Sequence, residues 1–384
     1  MSVAAPFARG LFVTHRGYVE GVSGGAQLCT REYIEVLKAA GVDLSVCLVE
    51  IDSRLSTRLL RKLVHRPYFR PTPPGAEAAI AAAIDASAPD FVFLNQMGLA
   101  TLAAGIRRRA GPGCRIVALS HGMESTDLLH MLRLGDDLPL GRPRGLTAAS
   151  LGRALLAEHR LRADIDMVCA LSPLDVVLEV WVGAKAVEWL PRIITPSPLP
   201  WRPTGDRLGF FGTLDHAPNL EGLVRAIEAL QPHLPRGGRV RVVGGPERTG
   251  RWLAARHGFV DYLGPLDDAG LAAEACSWSA VMHPIFCLPR GCSTKLATAI
   301  GWQVPIVTTE TGRRGYEWRE GDLVIAGRPV DFADACLKLM DPVAAERARD
   351  GVAAVARSSP SLADVAARMR RLLEIASSPR TPVS

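Results

Sequence analysis

Four loops in this chain gather glycine, hydroxyl and charged residues into combinations that bind anions or handle protons. The richest is 284–294 (PIFCLPRGCST), which runs into an apolar helical pattern beginning at Lys295. Arg290 and Lys295 bracket Gly291, Ser293 and Thr294 there. Two cations, two hydroxyls, backbone amides and the positive end of a helix dipole converge, which suits a diphosphate. Lys295 is also one of only five lysines in the chain, so it stands apart from the arginine-rich background. The segment Phe210-Phe211-Gly212-Thr213 ends a β-like run, and Pro218-Asn219 precedes a helix. Its amides and the Thr213 hydroxyl suit the same anion. In the loop 16–25 (RGYVEGVSGG), Gly24 and Gly25 let the backbone approach a ligand closely ahead of another helix N-terminus. The fourth loop, Ser120-His121-Gly122-Met123-Glu124, leaves a β-like run with an imidazole and a carboxylate, a pair suited to polar contacts and proton transfer. Each loop keeps a plain structural alternative: a tight turn, a capping or loop-bracing pair, or a solvated charge. A D-x-D pair, Asp164-Ile165-Asp166, precedes a strand pattern instead of following it, which is the wrong end for a metal facing a ligand. No metal is expected, and cations and helix dipoles would carry the anion's charge.

The elements that must position these loops alternate. Residues 11–14, 44–49, 91–94, 116–119, 167–171 and 187–190 read as buried strands, with helical patterns such as 26–40 and 74–86 between them. This βαβ rhythm predicts a parallel sheet covered on both faces. Pro191, Pro196, Pro198, Pro200 and Pro203 then exclude regular structure and mark a linker. The rhythm restarts with strands at 208–211, 239–243, 280–283, 305–308 and 323–325, and helices at 219–230, 270–276 and 295–302. From Val330 to about Ile375 the pattern is helical and rich in alanine and arginine. The expected division is an N-terminal Rossmann-like domain over 1–200, joined by a C-terminal helix at about 360–376, and a second over 201–358. Ligands of open α/β sheets bind outside the carboxyl ends of the strands, where all four loops fall.

Composition narrows the class. The 384 residues are 48% hydrophobic and 22% charged, enough for two folded domains. No apolar run reaches the ~18 residues of a spanning helix, and the first residues do not read as a signal peptide. Eight scattered cysteines without a C-x-x-C suggest reduced thiols in a cytoplasmic setting and no zinc site. The net charge of +6 is mostly arginine. Arg54, Arg58, Arg61, Lys62, Arg66 and Arg70 interleave with leucines, a pattern for either an anionic membrane surface or a solvated helix face. Aromatic residues are too sparse among the basic ones for a nucleic-acid platform. No G-x-G-x-x-G follows the first strand of either half, which argues against a dinucleotide enzyme.

The second half carries an ordered series: Tyr262-Leu263-Gly264-Pro265-Leu266, Ala280-Val281-Met282-His283-Pro284, Gly291-Cys292-Ser293-Thr294-Lys295-Leu296, and Gln303-Val304-Pro305-Ile306-Val307-Thr308-Thr309 with Gly312. It resembles the donor-binding domain of family 4 glycosyltransferases. The Gly24-Gly25 turn, the His121/Glu124 loop and Leu171-Ser172 before a helix resemble that family's N-terminal domain, so the resemblance spans roughly residues 10–330. It implies the GT-B fold, two Rossmann-like domains facing across a cleft, with the last helix crossing back to the first domain. It implies sugar transfer from a nucleotide-diphosphate donor to a glycan or lipid-linked acceptor, usually retaining and metal-independent, with no cofactor. Carried over, His121 and Glu124 are the catalytic candidates, and His121 contacts the donor sugar. Gly24, Gly25, Gly212, Thr213, Arg290, Gly291, Ser293, Thr294, Lys295 and Thr298 line the donor, with Gly264 and Leu266 near the base. The setting would be cytoplasmic, peripheral on the inner membrane face through Arg54–Arg70, in cell-surface polysaccharide or glycoconjugate synthesis. One departure stands out. Where the family has two acidic residues, one gripping the ribose, this chain has Arg290 and Thr298, and Thr298 cannot chelate two hydroxyls as a carboxylate does. A non-catalytic relative that binds nucleotide sugars or glycans, and a sugar-nucleotide epimerase on the same architecture, are the alternatives.

Overall fold

The computed structural model describes residues 7–20, 24–50, 75–134, 138–139 and 144–377. The basic segment Arg54–Arg70 lies outside the described residues. The chain forms two compact units: residues 1–125, 148–191 and 361–384 make the first, and 126–147 with 192–360 make the second.

In the first unit, strands β1 (Ala8–His15), β2 (Val42–Val49), β3 (Phe91–Asn95), β4 (Arg115–Leu119), β5 (Met167–Ala170) and β6 (Val187–Trp189) form one sheet in the order β2-β1-β3-β4-β5-β6. Every pairing is parallel. The near-continuous apolar runs follow from that: a central parallel strand is covered on both faces, and every residue of Phe91–Asn95 is buried. Leu11, Val13, Val92, Leu94, Ile116 and Ala118 pack against Ile80, Ile84 and Ile106 from the covering helices. The C-terminal helix Leu362–Ser377 packs on the helix Gly25–Ala39 through a face that buries Val365, Ala366, Met369, Leu372 and Leu373.

The second unit repeats the architecture. Strands β7 (Arg207–Phe211), β8 (Arg239–Val243), β9 (Val260–Gly264), β10 (Ala280–Met282), β11 (Ile306–Thr308) and β12 (Val324–Ile325) pair in parallel in the order β12-β11-β10-β7-β8-β9. Counted from its own first strand this is the dinucleotide-fold order, with the reversal of winding between β7 and β10. β9 escapes the sequence pattern because it is an edge strand. Its Asp261 faces the charged neighbours Arg239 and Arg241 and breaks the apolar run.

Two features differ from the sequence expectation. The boundary falls at Pro191/Arg192, and residues 126–147 group with the second unit. The proline-rich stretch is irregular, as five missing N–H donors require, but it is not a free hinge. Its remaining amides are tied to the second unit: Ser197 N–H to Gly301 O (2.7 Å), Leu199 N–H to Trp302 O (3.0 Å) and Arg202 N–H to Cys276 O (2.8 Å). The Trp201 indole donates to the Trp278 carbonyl at 2.6 Å. The segment is a strap across this unit.

Candidate functional site

The two switch points of the sheets carry the residues of interest, and each unit holds its own cluster. In the second unit β7 ends at Phe211, and Gly212 turns away with φ +141°. A Cβ there would lie 2.6 Å from Lys295 Cδ and 2.9 Å from its Nζ, so the absence of a side chain is what admits the lysine. Gly244, at φ +137°, presses against the Gly212 backbone, where a Cβ would meet the Gly212 carbonyl oxygen at 2.0 Å. Lys295 sits in the first turn of the helix Thr294–Trp302. Its ammonium donates to Asn219 Oδ1 at 2.7 Å and lies 5.5 Å from the centre of the Phe210 ring. Among the described residues no carboxylate pairs with the amine, and burial lowers its pKa from 10.5 to about 7. Asn219 is fixed in turn by donating to the Thr213 carbonyl at 2.9 Å. The Thr213 hydroxyl donates to Asp215 at 2.6 Å.

The loop from Pro284 to Ser293 is held from behind. His283 is buried, with Nδ1 2.8 Å from Thr308 Oγ1 and Nε2 2.7 Å from Ser293 Oγ. Burial first, then the positive charges of Lys295 and Arg314, push its pKa well below the usual histidine range, so the ring is neutral. Arg314 donates to the carbonyls of Pro289, at 2.6 Å, and Gly291, and Tyr316 donates its hydroxyl to the Ser293 carbonyl at 2.7 Å. The loop carbonyls are thereby turned onto Arg314 and Tyr316. Ser293 is the N-cap residue, but its side chain serves His283 and makes no cap. Arg290 donates its backbone N–H to Asp127 Oδ1 at 2.8 Å, and its Nε lies 3.8 Å from Asp127 Oδ2. His216 approaches the same carboxylate at 3.4 Å. Burial alone would raise the Asp127 pKa; His216 and Arg290 outweigh it and hold it below the usual value. Thr298 donates to the Thr294 carbonyl at 3.1 Å, so its hydroxyl is turned onto its own helix. Gly264 closes β9 at φ +77°, its carbonyl accepting from Gly244 N–H at 2.9 Å, and Leu266 beyond it is exposed.

In the first unit His121 leaves β4, and its Nε2 lies 2.9 Å from Asn95 Oδ1 at the end of β3. Its backbone is pinned on both sides. Ser120 donates its hydroxyl to the fully buried Glu179 at 3.0 Å and accepts from Gly122 N–H at 3.1 Å. The Tyr33 hydroxyl donates to the Ser120 carbonyl at 3.2 Å. Behind Glu179 stands the equally buried Arg162, whose Nε donates to it at 2.6 Å. Burial raises the Glu179 pKa, while Arg162 and Ser120 oppose that. Glu124 opens the helix Glu124–Arg133, where a carboxylate meets the favourable end of the dipole. Gly24 caps the helix Gly25–Ala39 in extended backbone, with φ −151°. Asp166 of the D-x-D pair accepts from Arg107 and, at 2.8 Å, from Ile116 N–H, so it braces the sheet. Among the described residues no three His, Cys, Asp or Glu side chains gather as metal ligands, and no helix is long and apolar enough to cross a membrane.

The loops at 210–213 and 284–294 thus meet in a lysine–glycine–asparagine cluster in the second unit, and the loop at 120–124 joins a histidine–asparagine cluster in the first. Sequence reasoning missed Asn95, Glu179, Asp127 and His283 as members. Asn95 had a signal: it is the one polar residue closing the apolar run of a central strand at the switch point.

Residues 205–342 match the family model described as "Glycosyl transferases group 1". A search of the curated proteins finds no match in sequence. Among solved structures, Anabaena HepE in complex with UDP and glucose is 14% identical, covering 96% of this chain and 100% of its own, with a TM-score of 0.62. Sucrose-phosphate synthase from Thermosynechococcus elongatus is 14% identical over 96% and 98%, with a TM-score of 0.66. The lipopolysaccharide outer core galactosyltransferase WaaB is 12% identical over 95% and 99%, with a TM-score of 0.60. The fold is GT-B. At these identities the likeness carries architecture, and the stretch similar to the group 1 glycosyltransferase model lies within the second unit.

Proposed function

We propose that the protein transfers a hexosyl unit from a nucleoside-diphosphate sugar to a glycan or lipid-linked acceptor. The observation that carries this reading is the cluster at the β7/β10 switch point, inside the matched domain. There a desolvated ammonium, the Gly212 turn and the N-terminal amides of the helix Thr294–Trp302 converge. An arriving pyrophosphate supplies the counter-charge that burial denies Lys295, so its affinity is drawn from relief of an existing electrostatic penalty. As the glycosyl bond breaks, charge grows on the leaving diphosphate. Lys295, Arg290 and the helix amides stabilise it in place of a metal, with no cofactor. Gly264 and Leu266 would receive the base, and the complex of HepE with UDP supports a uridine nucleotide as the first donor to try. His121 would contact the sugar and Glu124 would serve as the acidic partner in the first unit, with retention at the anomeric carbon. The net charge of +6 suits an anionic membrane or a lipid-diphosphate acceptor in cell-surface polysaccharide synthesis at the inner membrane face.

A thermal-shift panel of nucleoside diphosphates, followed by incubation with radiolabelled UDP- and GDP-sugars, tests this. Stabilisation by a nucleoside diphosphate with slow donor hydrolysis is the expected result. Stabilisation without any turnover would favour a non-catalytic nucleotide-sugar-binding protein, which Thr298 in place of a ribose-gripping carboxylate motivates. No stabilisation by any nucleotide would sink both.

A further inference from the structure

We propose that Asn95 is a positioning residue that fixes the tautomer of His121, so that any hydrogen bond made at Nδ1 is one the imidazole accepts. The inference rests on a chain of donors and acceptors in the first unit. Thr30 donates its single hydroxyl proton to the Ala26 carbonyl at 2.8 Å, one turn back in its own helix. Toward Asn95 the Thr30 oxygen, 2.8 Å away, can therefore only accept. The Asn95 atom facing Thr30 must then be the amide nitrogen, which also reaches Thr14 Oγ1 at 2.8 Å. That settles the orientation of the amide by bonding logic. Its carbonyl oxygen is left toward His121, 2.9 Å from Nε2. An amide oxygen has no proton to give, so Nε2 carries one, and in the neutral ring Nδ1 keeps its lone pair.

The arrangement is rigid for stated reasons. Thr14, Thr30 and Asn95 are fully buried, so breaking any link strands a polar atom away from water. Tyr33 sets the other flank of the ring, with centroids 5.8 Å apart. The backbone of residues 120–122 is held independently through Ser120 by Glu179 and, behind it, Arg162. The side chain of His121 is oriented from β3, and its main chain through Ser120 by separate partners. Deepening the proposed glycosyl-transfer reading, and resting on it, the assignment makes His121 an acceptor toward a sugar hydroxyl. A donor hydrogen bond to a carbonyl or phosphate oxygen would need the other tautomer or the imidazolium.

Nitrogen-15 long-range correlation spectra of the full chain, with the His121 signal identified through His121→Gln, decide this. The expected wild-type pattern is a pyridine-type Nδ1 and a pyrrole-type Nε2 at neutral pH. Asn95→Asp places a carboxylate against Nε2, stabilises the imidazolium and should carry the doubly protonated pattern about one pH unit higher. Asn95→Ala should mix the two tautomers, with circular dichroism and melting showing that the fold survives. A wild-type spectrum with the proton on Nδ1 would overturn the proposal even if neither variant folds, as would folded variants that titrate like the wild type. On the transfer reading, Asn95→Asp also moves the pH profile of kcat more than KM. If no donor is turned over by the wild type while the spectra behave as expected, the transfer reading fails and the role of Asn95 stands.

Discussion

On the proposed reading, Lys295 is a side chain costly to the free protein and useful to the complex. Among the described residues its amine is desolvated without a counter-ion, and Gly212 leaves room to receive it. Lys295→Ala is expected to weaken nucleoside-diphosphate binding by about 1.5–3 kcal/mol, the range of a charge-assisted hydrogen bond, measured by titration calorimetry. Unchanged affinity would remove the residue from the site. The pH dependence has a definite sign. On that reading the anion binds the ammonium form, which in the free protein is the minority form above about pH 7. Above that, binding must take up a proton, and affinity should fall by up to about tenfold per pH unit. Lys295→Met, measured alongside, should abolish the slope and subtract the nucleotide's own titration. The free protein trends the other way. Its folded amine pKa of about 7 lies below the ordinary 10.5, so the unfolded chain binds more protons between those values, and this group's contribution to stability rises across that window. The place of Lys295 in a first helical turn was legible in the sequence because a rare lysine stood where a polar loop runs into an apolar helical pattern. Asp127 was not, because its partner Arg290 lies 163 positions away and nothing local marks either as half of a pair.

At the level of elements, the parallel strands were readable wherever both faces are covered, since burial on both sides forces a continuous apolar run. β9 was not, because an edge strand can alternate Val260 and Tyr262 with the charged Asp261. The proline-rich stretch is irregular as expected, and its attachment to the second unit was not legible. Proline content reports which donors are missing, but not where the remaining amides go. The β7 and β8 turns meet so closely that Gly212 and Gly244 act as one fitted joint. Gly244→Ala is expected to destabilise the second unit by about 1–3 kcal/mol, as overpacking against backbone does. The midpoint in chemical denaturation should fall without a change in slope, and the Lys295 pocket should lose affinity with it. A midpoint equal to that of the wild type would mean the turns can part freely.

For the whole molecule, two domains were legible from the repeated βαβ rhythm, and their borders only roughly. Contacts define a domain, and the chain revisits the first unit at its end while residues 126–147 leave it early. Removing everything after Pro360 should leave the second unit's core intact and strip the first of a helix that buries five apolar side chains. Each such side chain is worth about 1.5–3 kcal/mol when fully buried. Calorimetry should then show a low-temperature transition split from the main one, or an insoluble product. A melting profile like that of the full chain would make the helix an ornament. The same feature orders events during synthesis. The strands of the first unit leave the ribosome before the second unit, yet Met369, Leu372 and Leu373, which seal the first unit's flank, follow the second unit in the chain. The first unit must wait, partly unsealed, until the second has been translated, and the second can close before it.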